Sequence, residues 1–355
     1  MAKLKNYKYW LVIISIIFCL TYREFLETLK FFLFHKYNFS MLPMDPYYKQ
    51  VLFYSNLIND QIGWPWNTRY LPNYLNYIIF EVLPCLKVKE IPNFLSSNEY
   101  CAMWSISIVN YLSTIFSSLF MFFYSNNFLK LKIEESVLIV FVTIFYFSFL
   151  DRFGIDRFSL FYLIAIFYLN LRFLEKHILI SISIILSIFV NEKITIFLFL
   201  YYISQELYLS KGVVSLILLK KILSSYKIII SGFMIIYYIA ITIFLNSDVL
   251  LSNDVGIKGV NLNYLSFHSL SNTLIPLLLI SISFFYLSNK NNLLKEIGLN
   301  KYNFYFILPI FILIGLIVGG PGNTGRYLVY FSPFGILLIN KFFITIIYNL
   351  RKKKF

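Results

Sequence analysis

The chain has 355 residues, of which 59% are hydrophobic and only 14% are charged, and its formal net charge is +14. Soluble domains carry about a quarter charged residues, so this composition excludes an ordinary water-soluble protein. The many Ile, Leu and Phe residues need a bilayer as solvent, which predicts an all-α, polytopic helical membrane protein.

Apolar runs long enough to cross a membrane recur along the chain. A spanning helix needs about 20 such residues, with roughly 17 as the lower end, which predicts about ten transmembrane helices in one domain, 1–355. The first run is interpreted as uncleaved, because no small-x-small cleavage site follows it. The predicted spans are 8–28, 101–124, 134–150, 157–173, 175–191, 194–210, 228–246, 272–289, 303–319 and 327–346.

The stretch 70–86 decides the topology, because every later loop changes sides if it crosses. Its faces alternate as in a helix that lies in the membrane interface, and we predict that it does not cross. Residues 29–100 then form one large external loop with interfacial helices, and 246–271 form a second external loop. The polar and helix-breaking residues of the stretch are Pro72, Asn73, Asn76, Glu81 and Pro84.

The positive charge is distributed unevenly. With the N-terminus in the cytoplasm and 70–86 not crossing, 18 of the 31 basic residues fall in cytoplasmic segments. Loops rich in Lys and Arg stay in the cytoplasm, so the net charge indicates topology rather than binding to nucleic acid. We expect a multi-pass protein of the bacterial cytoplasmic membrane, with both termini cytoplasmic and a cytoplasmic interfacial helix at 212–226.

The three cysteines, Cys19, Cys85 and Cys101, do not have the spacing of metal ligands. We expect them to be unpaired, with a disulfide between Cys85 and Cys101 outside the cytoplasm as the alternative.

Most of the other charged residues fall on the external side, near the ends of predicted helices. Ionisable groups at membrane depth are costly unless they pair or face water, so this clustering predicts a polar cavity that opens outward. The residues are Asp45, Arg69, Asp151, Arg152, Asp156, Arg157, Glu192, Lys193, Asp254, Lys258, His268 and Arg326.

Asp45 lies near the start of the large external loop, in Met44-Asp45-Pro46-Tyr47-Tyr48. Its carboxylate could act as a general base or hold a divalent cation. The alternative is an Asp-Pro turn in which Asp45 caps an interfacial helix.

The segment from Gly63 to Pro72 is aromatic and holds a single arginine, Arg69, among Trp64, Trp66 and Tyr70. The planar fork of arginine matches phosphate, which favours a phosphate site. The alternative is an aromatic belt at the membrane interface with a snorkelling arginine.

Two further turns combine acids and bases. The dipeptide Asp-Arg occurs twice in Asp151-Arg152-Phe153-Gly154-Ile155-Asp156-Arg157. The two pairs could form a structural clamp, or they could present one arginine to a ligand. Val190-Asn191-Glu192-Lys193 lies between two apolar runs, where burial raises the pKa of a carboxylate unless Lys193 or Arg157 pairs with it. The alternative for this turn is a hairpin whose charges face water.

The most glycine-rich segment is Gly319-Gly320-Pro321-Gly322-Asn323-Thr324-Gly325-Arg326-Tyr327. Exposed backbone amides and an arginine at a helix start favour an anion site. The alternative is a flexible hairpin.

This arrangement resembles the GT-C superfamily of polytopic glycosyltransferases, which use polyprenyl-phosphate-linked sugars. Asp45 occupies the position of that family's first-loop aspartate, Asn191-Glu192-Lys193 is similar to its His-Glu-Lys or Asn-Glu turns, and Arg326 is similar to its late arginine. Asp45 has no adjacent second carboxylate, which leaves metal dependence open. A second resemblance is to O-antigen-polymerase-like proteins, which bear external arginines like Arg152, Arg157 and Arg326.

The resemblance implies an inverting glycosyltransferase of the cell envelope, with polyprenyl-linked donor, glycan or lipid acceptor and membrane lipids as partners. It implies Asp45 as catalytic base and places the phosphate beside charged residues. The implied phosphate-binding residues are Arg69, Arg152, Arg157, Glu192, Lys193 and Arg326. The implied supporting residues are Asp151, Asp156, Trp64, Trp66, Tyr70 and His268. A polysaccharide polymerase and a flippase or transporter for lipid-linked oligosaccharides remain the alternatives.

Overall fold

The computed structural model of this chain is 91% helical over the residues that it describes, and no strand occurs among them. Those residues are 14, 17, 22, 45–57, 69–83, 97–150, 157–172, 176–210, 216–245, 267–289, 293–297, 299–314 and 328–352.

The helices are, in chain order, α1 Asp45–Tyr54, α2 Tyr70–Val82, α3 Ser97–Asn127, α4 Ile133–Leu150, α5 Arg157–Arg172, α6 His177–Val190, α7 Glu192–Leu209, α8 Leu216–Ser224, α9 Tyr226–Leu245, α10 Phe267–Ser288 and α11 Leu293–Glu296. A π-helical segment, Asn303–Ile307, continues into α12, Leu308–Ile314. A 3-10 turn, Val329–Phe331, leads into α13, Ser332–Lys352.

Each predicted span coincides with a helix wherever its residues are described. The run 175–210 divides at Asn191 into α6 and α7, as its length indicated. The prediction of an all-helical chain is therefore confirmed.

Two helical segments in the described part of the chain are long and apolar enough to cross a membrane, Cys101–Asn127 and Ser332–Leu350. A third candidate span results if Leu218–Ser224 and Tyr226–Thr242 cross as one unit; the two segments are bent by 68° relative to each other. These helices support association with a membrane, whereas about ten crossings stay a prediction. The shorter apolar helices are Arg157–Phe167, His177–Val190, Leu277–Ser288 and Asn303–Ile314.

The two stretches predicted to lie in the membrane interface are both helical. Helix α2 has 13 residues, and at about 1.5 Å per residue it reaches only about 20 Å of the roughly 30 Å hydrocarbon core. Helix α8 covers part of 212–226 and ends at Ser224, before α9 begins at Tyr226. The placement of both helices against a membrane stays a prediction.

Apolar side chains lie on the outside as well as in the interior. The core joins α4 to α7 with α9, α10, α12 and α13, and Phe197 packs there against Phe167 and Phe334. On the outside, Ile178 is 78% exposed and Ile236 is 66% exposed. A helix that is apolar on both sides suits a lipid environment rather than water.

Helices α4 and α13 approach closely at a glycine. A Cβ atom on Gly335 would lie 2.8 Å from the ring of Tyr146 and 2.8 Å from its hydroxyl oxygen. That hydroxyl donates a hydrogen bond of 3.0 Å to the carbonyl oxygen of Leu328. Only glycine therefore lets the buried tyrosine reach its backbone acceptor.

Cys101, in the second turn of α3, is disulfide-bonded. The expectation of unpaired cysteines is therefore wrong for this residue. Cys85, its partner in the alternative prediction, lies outside the described residues.

Candidate functional site

The turn between α6 and α7 consists of a single residue, Asn191. Its extended backbone (φ −167°, ψ 126°) ends α6 with a bond from its N–H to the carbonyl oxygen of Ser187. Its side-chain oxygen then accepts a 3.1 Å hydrogen bond from the backbone N–H of Lys193. Asparagine is a preferred N-cap, and an acidic residue in the first turn suits the helix dipole. The sequence Asn191-Glu192-Lys193 thus reverses the chain and fixes where both charged side chains begin.

Arg69 reaches this turn from the residue just before α2. Helix α2 starts at Tyr70 with Pro72 in its first turn, where a missing N–H is tolerated. Arg69 is only 2% exposed, and α2 packs against α6. The start of α2 therefore carries a buried guanidinium to the end of α6.

Arg69 and Glu192 form a two-point ion pair. Arg69 Nη2 donates to Glu192 Oε1 at 3.0 Å, and Arg69 Nε donates to Oε2 at 3.3 Å. Burial alone would raise the pKa of Glu192, but the charges of Arg69 and Lys193 outweigh it and hold that pKa below its ordinary value. The Glu192 carboxylate, which lies outside the predicted spans, is therefore ionised. It accepts from both N–H groups, Nε and Nη2, on one side of the Arg69 guanidinium.

Lys193 and Tyr330 lie at the same place. Together with Arg69, Asn191 and Glu192 they form what we call the junction. The Lys193 ammonium lies 5.6 Å from the centre of the Tyr330 ring, a distance that allows a cation–π interaction. The amide nitrogen of Asn191 donates a 2.7 Å hydrogen bond to the Tyr330 hydroxyl. The Lys193 ammonium thus lies next to an aromatic ring, and its charge also acts on Glu192.

Arg157 belongs to the interface between α3 and α5. It is the first residue of α5, is 4% exposed, and donates from Nη1 to Thr114 Oγ1 at 3.0 Å. The second arginine of the Asp-Arg repeat is therefore buried against α3.

Helix α2 has its polar face turned inward. Arg69, Asn73 and Asn76 follow a helical spacing and are all buried, whereas Tyr74 is 56% exposed and Val82 is 74% exposed. A helix in water would show the opposite arrangement. The outward apolar face fits the predicted place of α2 at the membrane, with its polar face toward the protein.

The aromatic residues of α2 form contacts at its start and near its middle. The ring of Tyr70 lies 6.3 Å from that of Phe189 on α6. The rings of Tyr74 and Tyr77 lie 6.4 Å and 6.1 Å from that of Tyr54 on α1. These contacts connect α1, α2 and α6 along one surface.

The structure brings together four of the predicted site residues: Arg69, Tyr70, Glu192 and Lys193. For Asp45, the first residue of α1, and His268, the second residue of α10, the structure describes the helix but not the side chain. The predicted site residues that lie outside the described residues are Trp64, Trp66, Asp151, Arg152, Asp156 and Arg326.

Sequence reasoning missed Tyr330 in this junction and Thr114, the partner of Arg157. Neither residue stands in a pattern that marks a site. Asn191 lay in a turn that the sequence singled out, and its position between an apolar run and Glu192 is the pattern of an N-cap.

In the described part of the chain, no group of three or more His, Cys, Asp or Glu side chains is placed to hold a metal ion. Comparison with known proteins finds no matching family model, no similar curated protein and no similar solved structure. The arguments about function therefore depend on the site itself. An ionised, immobilised carboxylate, a paired guanidinium and an ammonium over a ring can bind an anion and orient a polar substrate.

Proposed function

We propose that this protein is a membrane glycosyltransferase that moves a sugar from a polyprenyl-phosphate donor to a glycan or lipid acceptor at the external membrane face. The observation that supports this proposal best is the buried Arg69–Glu192 pair beside Lys193. It gathers charges from two distant segments at one end of a helix hairpin. Charges at such low solvent exposure are costly unless they are paired, as these are.

The proposed topology has about ten spans, with this junction on the external side. The disulfide at Cys101 supports that orientation, because disulfides persist in oxidising compartments outside the bacterial cytoplasm. Cys101 lies in the second turn of α3, which the topology places outside. Lys130 and Lys132, just after the other end of α3, then lie in the cytoplasm, as the positive-inside rule requires.

In the proposed reaction, the acceptor oxygen attacks the anomeric carbon of the donor sugar with inversion. The bond from that carbon to the phosphate oxygen breaks, and polyprenyl phosphate leaves with the electron pair. Asp45 takes the proton of the acceptor hydroxyl as general base. Positive side chains stabilise the charge that grows on the leaving phosphate.

The Glu192 carboxylate accepts the two hydrogen bonds from Arg69 that a phosphate would otherwise accept. Both of its oxygens accept from Arg69, which is also how a phosphate binds arginine. We assign Glu192 as the partner that holds Arg69 until the donor phosphate takes its place, with Lys193 adjacent. Arg152, Arg157 and Arg326 are the further phosphate-binding residues in this proposal.

The test compares glycan products in cells that lack the gene and carry variants on a plasmid. Asp45→Asn should abolish transfer at normal protein levels, and Arg69→Lys should lower it by about tenfold or more, since lysine keeps the charge but loses the fork. Lys341→Arg, on α13, serves as the control and should transfer normally. Wild-type product from Asp45→Asn would remove this residue from the mechanism.

Product analysis also separates the alternatives. A polymerase would leave single repeat units uncoupled when it is lost, whereas a flippase would leave complete lipid-linked units on the cytoplasmic side. Only a transferase yields an acceptor that lacks one sugar. Accumulation of complete units in the cytoplasm would reject the proposal.

A further inference from the structure

Three buried carboxamide side chains have atoms that make no hydrogen bond of good geometry among the described residues, although Gln50 interacts with the Tyr54 hydroxyl one turn later on α1. They are Gln50 on α1, Asn76 on α2 and Asn110 on α3, which are 0%, 4% and 4% exposed. The atoms are Gln50 Nε2 and Oε1, Asn76 Oδ1 and Asn110 Nδ2. Buried polar atoms are nearly always paired, so three such side chains on neighbouring helices require an explanation.

The three helices that carry these amides pack against one another. Helix α1 packs against α2 and α3, and α2 packs against α3. Asn76 shares the buried face of α2 with Arg69 and Asn73. Asn110 precedes Thr114 by one turn, and Thr114 accepts the bond from Arg157. Asn76 and Asn110 thus lie on helices that also carry Arg69 and the hydrogen-bond partner of Arg157.

The chemistry of the orphan atoms restricts the ligand. Two are acceptors and two are donors, and none is charged, so a matching ligand must both donate and accept. Hydroxyl groups meet this requirement, because each can donate one hydrogen bond and accept others. Ser107, one turn before Asn110 on α3, adds a hydroxyl that is also without a partner among the described residues.

We propose that Gln50, Asn76 and Asn110 form a binding site for the hydroxyl groups of a sugar. This inference rests on the proposed function and adds the place of the sugar to it. Asn76 follows Arg69 by seven residues, which is about 10 Å along α2. A sugar phosphate spans a comparable length, so its phosphate lies at Arg69 and its sugar beside the amides.

The experiment uses the full-length protein in lipid nanodiscs and measures its melting temperature with and without methyl glycosides. The probes are the methyl glycosides of glucose, galactose, mannose and N-acetylglucosamine at high millimolar concentration. We expect at least one of them to raise the melting temperature of the wild type. Asn76→Leu and Asn110→Leu should abolish that rise, while their melting temperatures without sugar stay unchanged or increase.

A matched control is Asn303→Leu. Asn303 is also buried, but its side-chain amide has hydrogen-bond partners. It donates to Ser204 Oγ at 2.9 Å and accepts from the N–H of Asn300 at 2.9 Å. This variant should melt earlier without sugar and keep the sugar-dependent rise.

Three results would overturn the inference. One is a wild type that no glycoside stabilises, as expected if the amides hold only water. Another is a fall in melting temperature without sugar for both leucine variants, which would show a structural role. The third is a sugar-dependent rise that survives in both variants. Glycoside binding in a protein without transfer activity would keep this site and reject the transferase, so the two failures are distinguishable.

Discussion

The guanidinium of Arg69 is fixed to the carboxylate of Glu192 by two hydrogen bonds, of 3.0 and 3.3 Å, although 123 residues separate them. Their side chains are only 3% and 13% exposed. The pair therefore connects the segment before α2 to the α6–α7 hairpin at low solvent exposure, where each charge depends on the other.

Removing one member of the pair should destabilise the protein strongly. We expect Arg69→Leu and Glu192→Leu each to lower the free energy of unfolding by about 3–5 kcal/mol, because the remaining buried charge loses its ion-pair partner. The double variant should lose much less than the sum. Denaturant unfolding in nanodiscs measures all three, and additive losses would show that the two residues do not interact.

A partly exposed pair provides the control for this cycle. Lys341 Nζ lies 2.7 Å from Glu296 Oε2, and their side chains are 13% and 50% exposed. Glu296→Ala should cost no more than about 1 kcal/mol, as solvent screens such pairs.

The Arg69–Glu192 pair should also give stability a pH dependence. The pKa of Glu192 is held below its ordinary value in the folded protein, so its contribution is complete above about pH 4.3. It is lost as the pH falls through the lower, folded-state value. The difference in unfolding free energy between wild type and Glu192→Gln should be constant from about pH 7 to 5 and shrink below about pH 4. A difference that grows on acidification would contradict this assignment.

Gly335→Ala should destabilise the α4–α13 contact. The new methyl group would lie 2.8 Å from the Tyr146 ring, and relief of such overpacking typically costs about 1–3 kcal/mol. Gly232→Ala is the matched control, because its Cβ would meet the edge of the Phe199 ring at 3.3 Å. Thermal unfolding should show a clearly larger loss for Gly335→Ala, and equal losses would mean that the tyrosine moves freely.

Tyr330→Phe tests the support of the α6–α7 turn. It removes the acceptor for the Asn191 amide, which is completely buried. An unsatisfied buried donor costs about 1–3 kcal/mol, and we expect a loss of stability in that range. When Asn191→Ala is added to Tyr330→Phe, the free energy of unfolding should fall further only by the loss of the helix cap, about 0.5–2 kcal/mol. A neutral Tyr330→Phe would indicate that Asn191 finds another acceptor.

The helices could be predicted well from the sequence because apolar length alone determines them. The runs at 134–150 and 157–173, for example, match α4 and α5 within a residue. The division at Asn191 was also predictable, since 175–210 exceeds one span and contains an N-cap residue. Helix α3 is longer than its apolar run because Ser97 to Tyr100 extend it at its polar end.

The partners within the site could not be predicted, because hydropathy does not indicate which side chains meet when 123 residues separate them. The sequence suggested Lys193 or Arg157 for Glu192, since the first is adjacent and the second lies in a nearby turn. The hydrogen-bonded partner is Arg69, which required knowing that α2 packs on α6, while the charge of Lys193 also contributes. The inward polar face of α2 was equally hidden, since the same periodicity fits either orientation.

The separation of Arg69 and Glu192 has a consequence for how the protein is made. Ribosomes add about 5–20 residues per second, so Arg69 leaves synthesis roughly 6–25 s before Glu192 exists. During this interval the arginine has no carboxylate from the α6–α7 turn and must stay in water or among lipid head groups. The final packing of α2 on α6, with Arg69 paired to Glu192, can therefore form only after the α6–α7 turn has been made.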